Sequence, residues 1–384
     1  MDEYEKRKVA ITRYYSGEKI SSIVYSLGRT RQWFYNWLKR FELRIDDNCW
    51  YIDESRAPKR KPLKISNDAE RQILDIRSWL DAQHYAQTGA IAIQYEFRNR
   101  KLIPPPIWTI NRVIARNGLN KVPPKAKQSH DYPELFMSTH QMDLVGPRYI
   151  KGDGRFYSFN IIDVESHTCF TKPIRTKSSN EIVRAIAEFW HEFGLPDALQ
   201  MDNELAFRGS NRYPRSFGSV VRFALSQGVA PVFIPIKEPW RNGIIEKFND
   251  TYTKRFIKAK TFVNFEDLLN ESKDFNEFHN SHHRYSSQCQ KTPNEASNQG
   301  NFNIHYNGNV HEFNKIPLET GVIYFIRFIR SDLKLRLITE SFDVDELLKY
   351  SYVVAEVNID TQSLVVRQSN DIKHIFPYLT PVDW

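Results

Sequence analysis

The sequence predicts a multidomain chain with all-α helix-turn-helix units at the N-terminus, a central α/β core and a small C-terminal β-barrel. Three observations carry this expectation. At roughly 150 residues per domain, 384 residues make two or three domains with room for a small fourth. The hydrophobic period changes near residue 135 from 3.6 to extended runs, and short β-rich runs return after an Asn- and Gly-rich stretch at 298–309. The charge is also split. Residues 1–130 hold 25 basic and 14 acidic side chains, a net of +11, while the rest hold 29 and 32, a net of −3. A basic front on a near-neutral back points to a polyanion-binding arm joined to something else. With 41% apolar and 26% charged residues the chain can build real cores and is not expected to be disordered. The expected domains are 1–46, 64–120, 135–297 and 305–384.

In the first domain, Val9, Ile11, Tyr14 and Tyr15 precede a break at Ser16-Gly17-Glu18. Ile20, Ile23 and Val24 follow at helical spacing and stop at Leu27-Gly28-Arg29. Thr30 can cap a third helix through its hydroxyl. On that helix Trp33, Phe34, Trp37, Leu38 and Phe41 share one face, while Gln32, Tyr35, Asn36 and Lys39 share the other. Periodicity alone fits an ordinary three-helix bundle as well. The basic charge favours a DNA-reading helix-turn-helix, with Arg29, Gln32, Tyr35, Asn36 and Lys39 as its contact face.

A basic linker at 53–63 leads to a second helical unit opening at Asn67, with Glu70 placed for a capping box. Its helices carry Ile73, Ile76 and Leu80, then 89–97, then Ile107, Ile110, Val113 and Ile114. The last bears Arg112 and Arg116, candidate DNA contacts if this unit is a second helix-turn-helix. A second basic linker, Lys121 to Lys127, comes after it. Strands are expected at 139–145, 156–164, 168–174, 198–201 and 231–234, with helices at 179–193, 219–226, 242–258 and 265–280. Four later runs (322–329, 333–338, 352–358 and 364–367) suggest the barrel, whose Lys315, Arg327, Arg330, Lys334 and Arg336 suit either DNA or solvent.

Three acids in the α/β unit have a suggestive placement. Asp143 is expected to end the first strand and Asp202 the strand Ala198-Leu199-Gln200-Met201, while Glu246 lies in the first turns of a helix, turned away from the buried stripe of Ile244, Ile245, Phe248 and Tyr252. Hard divalent cations prefer oxygen ligands, and two ions about 3.5–4 Å apart can bind both the attacking and the leaving oxygen of a phosphoryl transfer. For any one acid alone, a solvated carboxylate or a cap is the commoner reading. His279, His282 and His283 lack a carboxylate partner at helical spacing and read as surface polar sequence rather than a metal site.

Asp143, Asp202-Asn203 and Asn242-Gly243-Ile244-Ile245-Glu246 resemble the D…DN…NGxxE signature of the retroviral-integrase-type catalytic core carried by bacterial insertion-sequence DDE transposases. The likeness runs from about residue 138 to 296 and includes Asn280…His283-Arg284-Tyr285…Thr292-Pro293-Asn294-Glu295. It implies a ribonuclease-H-like fold and two Mg²⁺ (or Mn²⁺) ions on Asp143, Asp202 and Glu246. It also implies DNA cleavage and strand transfer on transposon ends and target, by a homo-oligomer on paired double-stranded ends. Asn242 and Lys254 become candidate DNA contacts. Three departures stand out. Glu204 replaces the usual Gly after Asp-Asn, and 43 residues separate Asp202 from Glu246, more than the family spacing, with 208–217 as the apparent insertion. The Lys often found seven residues after the Glu is Thr253 here, with Lys254 next to it. The family's zinc module is absent, so no zinc is expected.

No apolar run reaches ten residues, so no membrane span is expected, and Met1 to Lys8 holds no signal core. The three single cysteines fit a reducing cytoplasm. The competing reading is a domesticated, catalytically silent DNA-binding regulator. A simple nuclease of the same fold is a second alternative, which the two N-terminal units argue against.

Overall fold

The computed structural model describes residues 1–44, 48–55, 65–120, 131–297, 304–309 and 316–381. Lys59 to Lys61, Lys121 to Lys127 and Lys315, expected to form basic linkers and a barrel cation, lie outside the described residues. The chain divides into two units, Met1–Lys64 and Ile65–Trp384.

In the first unit, α1 (Glu3–Tyr15), α2 (Ile20–Ser26) and α3 (Arg31–Glu42) form where the periodicity places them. Asp2 and Glu5 make a capping box on α1, and the Thr30 hydroxyl accepts the Trp33 N–H at 3.2 Å. Ala10, Ile11, Ile23, Val24, Phe34 and Leu38 close the core, with Trp33, Trp37 and Phe41 half-buried at its margin.

The second unit opens with α4 (Asn67–Ala82), α5 (Ala90–Asn99) and α6 (Ile107–Arg116), joined through Ile73, Ile76, Ile93, Phe97, Ile110 and Val113. The α4 cap is Ser66, whose hydroxyl accepts the Ala69 N–H at 3.2 Å. Glu70 is therefore free of the expected capping box, and it pairs with Arg116 and Asn117 to tie α4 to α6. This helical layer packs on the α/β region of the same unit. The Tyr85 ring lies against Phe275 and Phe256, and the Tyr85 carbonyl accepts from His283 Nε2 at 2.7 Å.

Next come β1 (Thr139–Ile150), β2 (Gly154–Asp163), β3 (Cys169–Ile174), α7 (Ser179–Phe193), β4 (Ala198–Met201), α8 (Leu205–Arg208), α9 (Ser219–Ser226) and β5 (Ala230–Phe233). A 3₁₀ turn, Pro239–Asn242, enters α10 (Gly243–Tyr252), which continues as a π turn, Thr253–Ile257. Then follow α11 (Phe265–His282) and α12 (Pro293–Ser297). The strand order is β3-β2-β1-β4-β5, with β2 antiparallel and β4 and β5 parallel to β1. Phe189 and Trp190 of α7 and Val220 and Phe223 of α9 pack on one face. Phe248 and Tyr252 of α10 and Phe275 of α11 pack on the other. This is an α/β arrangement, a sheet covered on both faces.

The separate barrel expected at 305–384 is replaced by a continuation of this sheet. After β6 (Val322–Phe328), β7 (Lys334–Leu337), β8 (Glu340–Asp343), β9 (Tyr352–Asn358), β10 (Ser363–Gln368) and β11 (Asp371–Pro377), the order runs β11-β10-β9-β6-β5. Only β7 and β8 stand apart, as a hairpin. β6 pairs in parallel with β5 (Val232 with Tyr324, Phe233 with Phe325), and Phe325 stacks on Phe233 at 4.9 Å. The apolar pattern of such strands is the same whether they close on themselves or add to an apolar edge.

The two outer edges differ. On β3, the Asn276 side chain exchanges two hydrogen bonds with the Thr171 backbone (2.9 and 3.0 Å), and Asn280 does the same with Cys169 (both 2.9 Å). β11 has no such cover among the described residues, and Ile372 and Ile375 are exposed.

Candidate active site

Asp143 lies in mid-strand rather than at a strand end, because β1 runs on to Ile150 past an irregularity between Val145 and Arg148. The parallel register pairs Gln141 with Gln200. Asp143 and Asp202 lie two residues further along from that pair, Asp202 just past the end of β4, and Asp202 is close enough to Asp143 to raise it. Glu246 arrives from α10, which is pinned to the same strand. The Ile245 N–H, one of the donors a helix start leaves unpaired, donates to Gln141 Oε1 at 3.1 Å.

Both aspartates are held. Asp143 Oδ1 accepts the Leu144 N–H at 2.8 Å, and Oδ2 accepts Asn249 Nδ2 at 2.6 Å. The Asn249 carbonyl in turn accepts from Asn160 Nδ2 at 2.6 Å, and Asn160 accepts the Thr171 hydroxyl. Asn160 and Thr171 are buried, so a line of neutral amides and a hydroxyl runs from the core to Asp143. Asp202 Oδ1 accepts the Glu204 N–H at 2.9 Å.

All three acids are pushed toward the neutral form. Burial, with Asp202, Glu204 and Glu246 nearby, drives Asp143 up to about 7 against the opposing Leu144 N–H. Burial and Glu204 raise Asp202, with the Glu204 N–H and Lys177 pulling the other way. Burial raises Glu246. Glu204, the extra acid, is ion-paired with Lys177. An all-oxygen donor set whose charged forms lack compensation fits a hard divalent cation. Among the described residues no three His, Cys, Asp or Glu side chains lie close enough together to hold a metal ion as they stand.

No family model matches the chain. The putative integrase ORF3 of Spiroplasma virus SpV1-C74 is 21% identical over 285 residues, which is 68% of this chain and 78% of that protein. Solved structures with similarity include the HTLV-2 integrase catalytic core domain in complex with magnesium in its dimeric form, at 17% identity. That match covers 41% of this chain and 94% of the other, with a TM-score of 0.32. The simian T-cell lymphotropic virus intasome in complex with PP2A regulatory subunit B56 gamma matches at 12% identity. It covers 80% of this chain and 96% of that one, with a TM-score of 0.37.

Several of the candidate DNA contacts sit elsewhere than expected. Asn242 is buried, donating to the Met142 carbonyl at 3.1 Å and accepting from Gln200 at 3.2 Å, so it braces α10 against the sheet instead of facing a ligand. Lys254 is exposed but ion-paired with Asp250, Arg116 with Glu70, and Arg29 with Glu3. Arg112 is exposed beside Trp108. On α3, Gln32, Tyr35, Asn36 and Lys39 are exposed together, Gln32 donating to Asn36 at 3.0 Å. His279 and His283 are buried on hydrogen bonds to Tyr285 and the Tyr85 carbonyl, and burial lowers both.

Sequence reasoning missed Gln141, Asn160, Asn249 and Tyr352, and Arg327, expected to face DNA or solvent, is buried. Two of these had a local signal, Asn249 at i+3 from Glu246 on one helix and Gln141 at i−2 from Asp143 on one strand. A half-open cleft of about 980 Å³ lies alongside, lined by Thr88 and Asn111 of the helical region and by Gly243, Lys247, Lys254 and Arg255 around α10.

Proposed function

We propose that this chain is a DDE transposase or integrase that binds mobile-element DNA ends and catalyses cleavage and strand transfer. The observation that supports it best is the nearness of Asp202 and Glu246 to Asp143, each acid having its charged form disfavoured by burial. Asp143 and Asp202 would hold Mg²⁺ or Mn²⁺ ions between them, with Glu246 completing the second position. When bound there, such ions supply activation of the attacking oxygen and stabilisation of the leaving one. The chain's own part is placement. Asn249 and the Leu144 N–H fix both oxygens of Asp143, and Gln141 fixes the start of the helix that bears Glu246. The exposed α3 face would read the element's ends, with salt-dependent affinity.

Strand-transfer assays with candidate element ends and Mg²⁺ test the reading. Joined products are expected from the wild-type chain and none from Asp202→Asn or Glu246→Gln. Sequence-specific binding without any cleavage or joining would instead mark a silent regulator.

A further inference from the structure

Two polar groups of the C-terminal strands lie where a sheet extension has no need of them. Arg327 on β6 is only 4% exposed. Its Nη1 donates to the carbonyls of Ile234 and Ile326 (both 2.9 Å), its Nε to that of Arg336 (2.9 Å) and its Nη2 to Asn203 Oδ1 (2.7 Å). None of these partners is a carboxylate. Burying a guanidinium without a counter-charge is expensive, and an apolar side chain would fill a strand interior at less cost. Among these acceptors, Asn203 is the one that links Arg327 to the candidate site. It follows Asp202 directly, and its Nδ2 donates to the Ile234 carbonyl at 2.8 Å. The loop that carries Asp202 is thereby clamped between the exit of β5 and the appended strand.

Tyr352 on β9 makes the second link. Its hydroxyl donates to Glu238 Oε2 at 2.6 Å and accepts from Arg241 Nη2 at 2.8 Å. Glu238 and Arg241 belong to the turn that enters α10, and the Arg241 carbonyl accepts Gln200 Nε2 at 3.1 Å. The approach of Glu246 is thus set from the same strands. The insertion after Asp202 reaches them too. Its ends meet at Gly209 and Gly218, where a Cβ on Gly209 would stand 2.6 Å from the Gly218 nitrogen. Beyond that neck, Arg215 donates to Glu340 of β8 at 3.0 Å and covers the Tyr378 ring.

We propose that the C-terminal strands are a built-in wall of the catalytic site, with Arg327 and Tyr352 as positioning residues for Asp202 and Glu246. This rests on the reading that those two acids act in phosphoryl transfer. The extension is then not a separable DNA-binding module, and the insertion is the strap that joins it to the Asp202 loop.

The test uses the full chain carrying Arg327→Gln, Arg327→Lys or Tyr352→Phe, with Asp202→Asn alongside. Turnover and KM are measured on an oligonucleotide end. The Mg²⁺ concentration for half-maximal effect is read twice, from activity and from the Mg²⁺-induced rise in melting temperature. Arg327→Gln is expected to lower turnover roughly tenfold or more and to raise the Mg²⁺ requirement in both readouts, with KM for DNA nearly unchanged. Arg327→Lys should recover part of the loss, and Tyr352→Phe should show a smaller shift of the same kind. If Arg327→Gln does not fold, Tyr352→Phe decides, since it removes one half-buried hydroxyl and keeps the ring. Wild-type turnover and Mg²⁺ requirement in the folded variants would overturn the positioning role. Joining by Asp202→Asn would instead overturn the carboxylate reading beneath it.

Discussion

Asp143 and Asp202 are near neighbours, yet the groups behind them are of opposite kinds. Behind Asp143 runs a neutral line, Asn249 to Asn160 to Thr171, leading into the core. Behind the Asp202 loop sits a buried cation, Arg327, delivered by an appended strand and touching Asn203 rather than the acid. The two devices share a result. Amides orient Asp143 without neutralising it, and the guanidinium acts one residue away from Asp202. Glu204 is the contrast, an acid of the same neighbourhood that Lys177 pairs outright. Holding a carboxylate in place while leaving its charge unmet is what a cation site needs, and Glu204 is spent elsewhere.

The largest expected effect comes from the unmet charge. Asp143→Asn should abolish cleavage and joining while leaving DNA binding nearly intact, because an amide keeps the shape but is a poor ligand for a hard cation. It should also stabilise the metal-free protein at pH 8, by roughly 5 °C in melting temperature. Linkage gives the sign. Asp143 sits at about 7 in the fold, above an unfolded value near 3.9, so the fold keeps a proton that the unfolded chain has lost. The stability from this group is fully present below about pH 4 and is lost as pH rises through about 7. Melting curves from pH 5 to 8 should therefore fall more steeply for the wild type than for Asp143→Asn. Parallel curves would mean that Asp143 carries no such strain.

Breaking the neutral line comes next. Asn249→Ala leaves Asp143 Oδ2 and the buried Asn160 amide each short of a partner. Turnover should fall about 10–100-fold, with a stability loss of roughly 1–3 kcal/mol by denaturant titration. If stability falls and turnover per folded molecule holds, the line supports only the core.

The first unit offers a milder test of the same division between placement and chemistry. Replacing Gln32 and Asn36 together should relax sequence choice by about 1–3 kcal/mol per base recognised, with catalytic turnover on saturating DNA unchanged. Lys39→Ala should weaken all sequences alike and flatten the salt slope by about one, seen in binding titrations at several salt concentrations. The smallest effect is reserved for Glu204→Gln, which should keep most joining activity because its charge is already matched by Lys177. A loss as deep as that of Asp202→Asn would make Glu204 a fourth working acid.

The helices of the first unit and the strands of the core were legible because each is a local pattern: Thr30 before a two-faced helix, Ala198 to Met201 before Asp202. The acids of the candidate site were legible from their order and neighbours. What escaped was long-range. Nothing in β1 announces that Asn160, across the sheet, and Asn249, on a helix 106 residues later, hold Asp143. The appended strands were misplaced for a related reason. Their alternation says that one face is buried but not against which neighbour, and an arginine within the apolar run Ile323-Tyr324-Phe325-Ile326-Arg327-Phe328 reads as surface charge until β5 is seen beside it. Asn242 was read as ligand-facing because its motif lies near the acid, whereas its amide fills a gap between α10 and β1.

The asparagines that seal β3 have a consequence for how such a chain can change. Asn276 and Asn280 imitate a neighbouring strand's peptide groups, so that side of the sheet offers no unpaired backbone at Cys169 or Thr171. Among the described residues six further strands lie past β5, four of them in the same sheet. Pairing continues on that side, past the loops that carry the acids. Whatever accretes there inherits a place beside the chemistry.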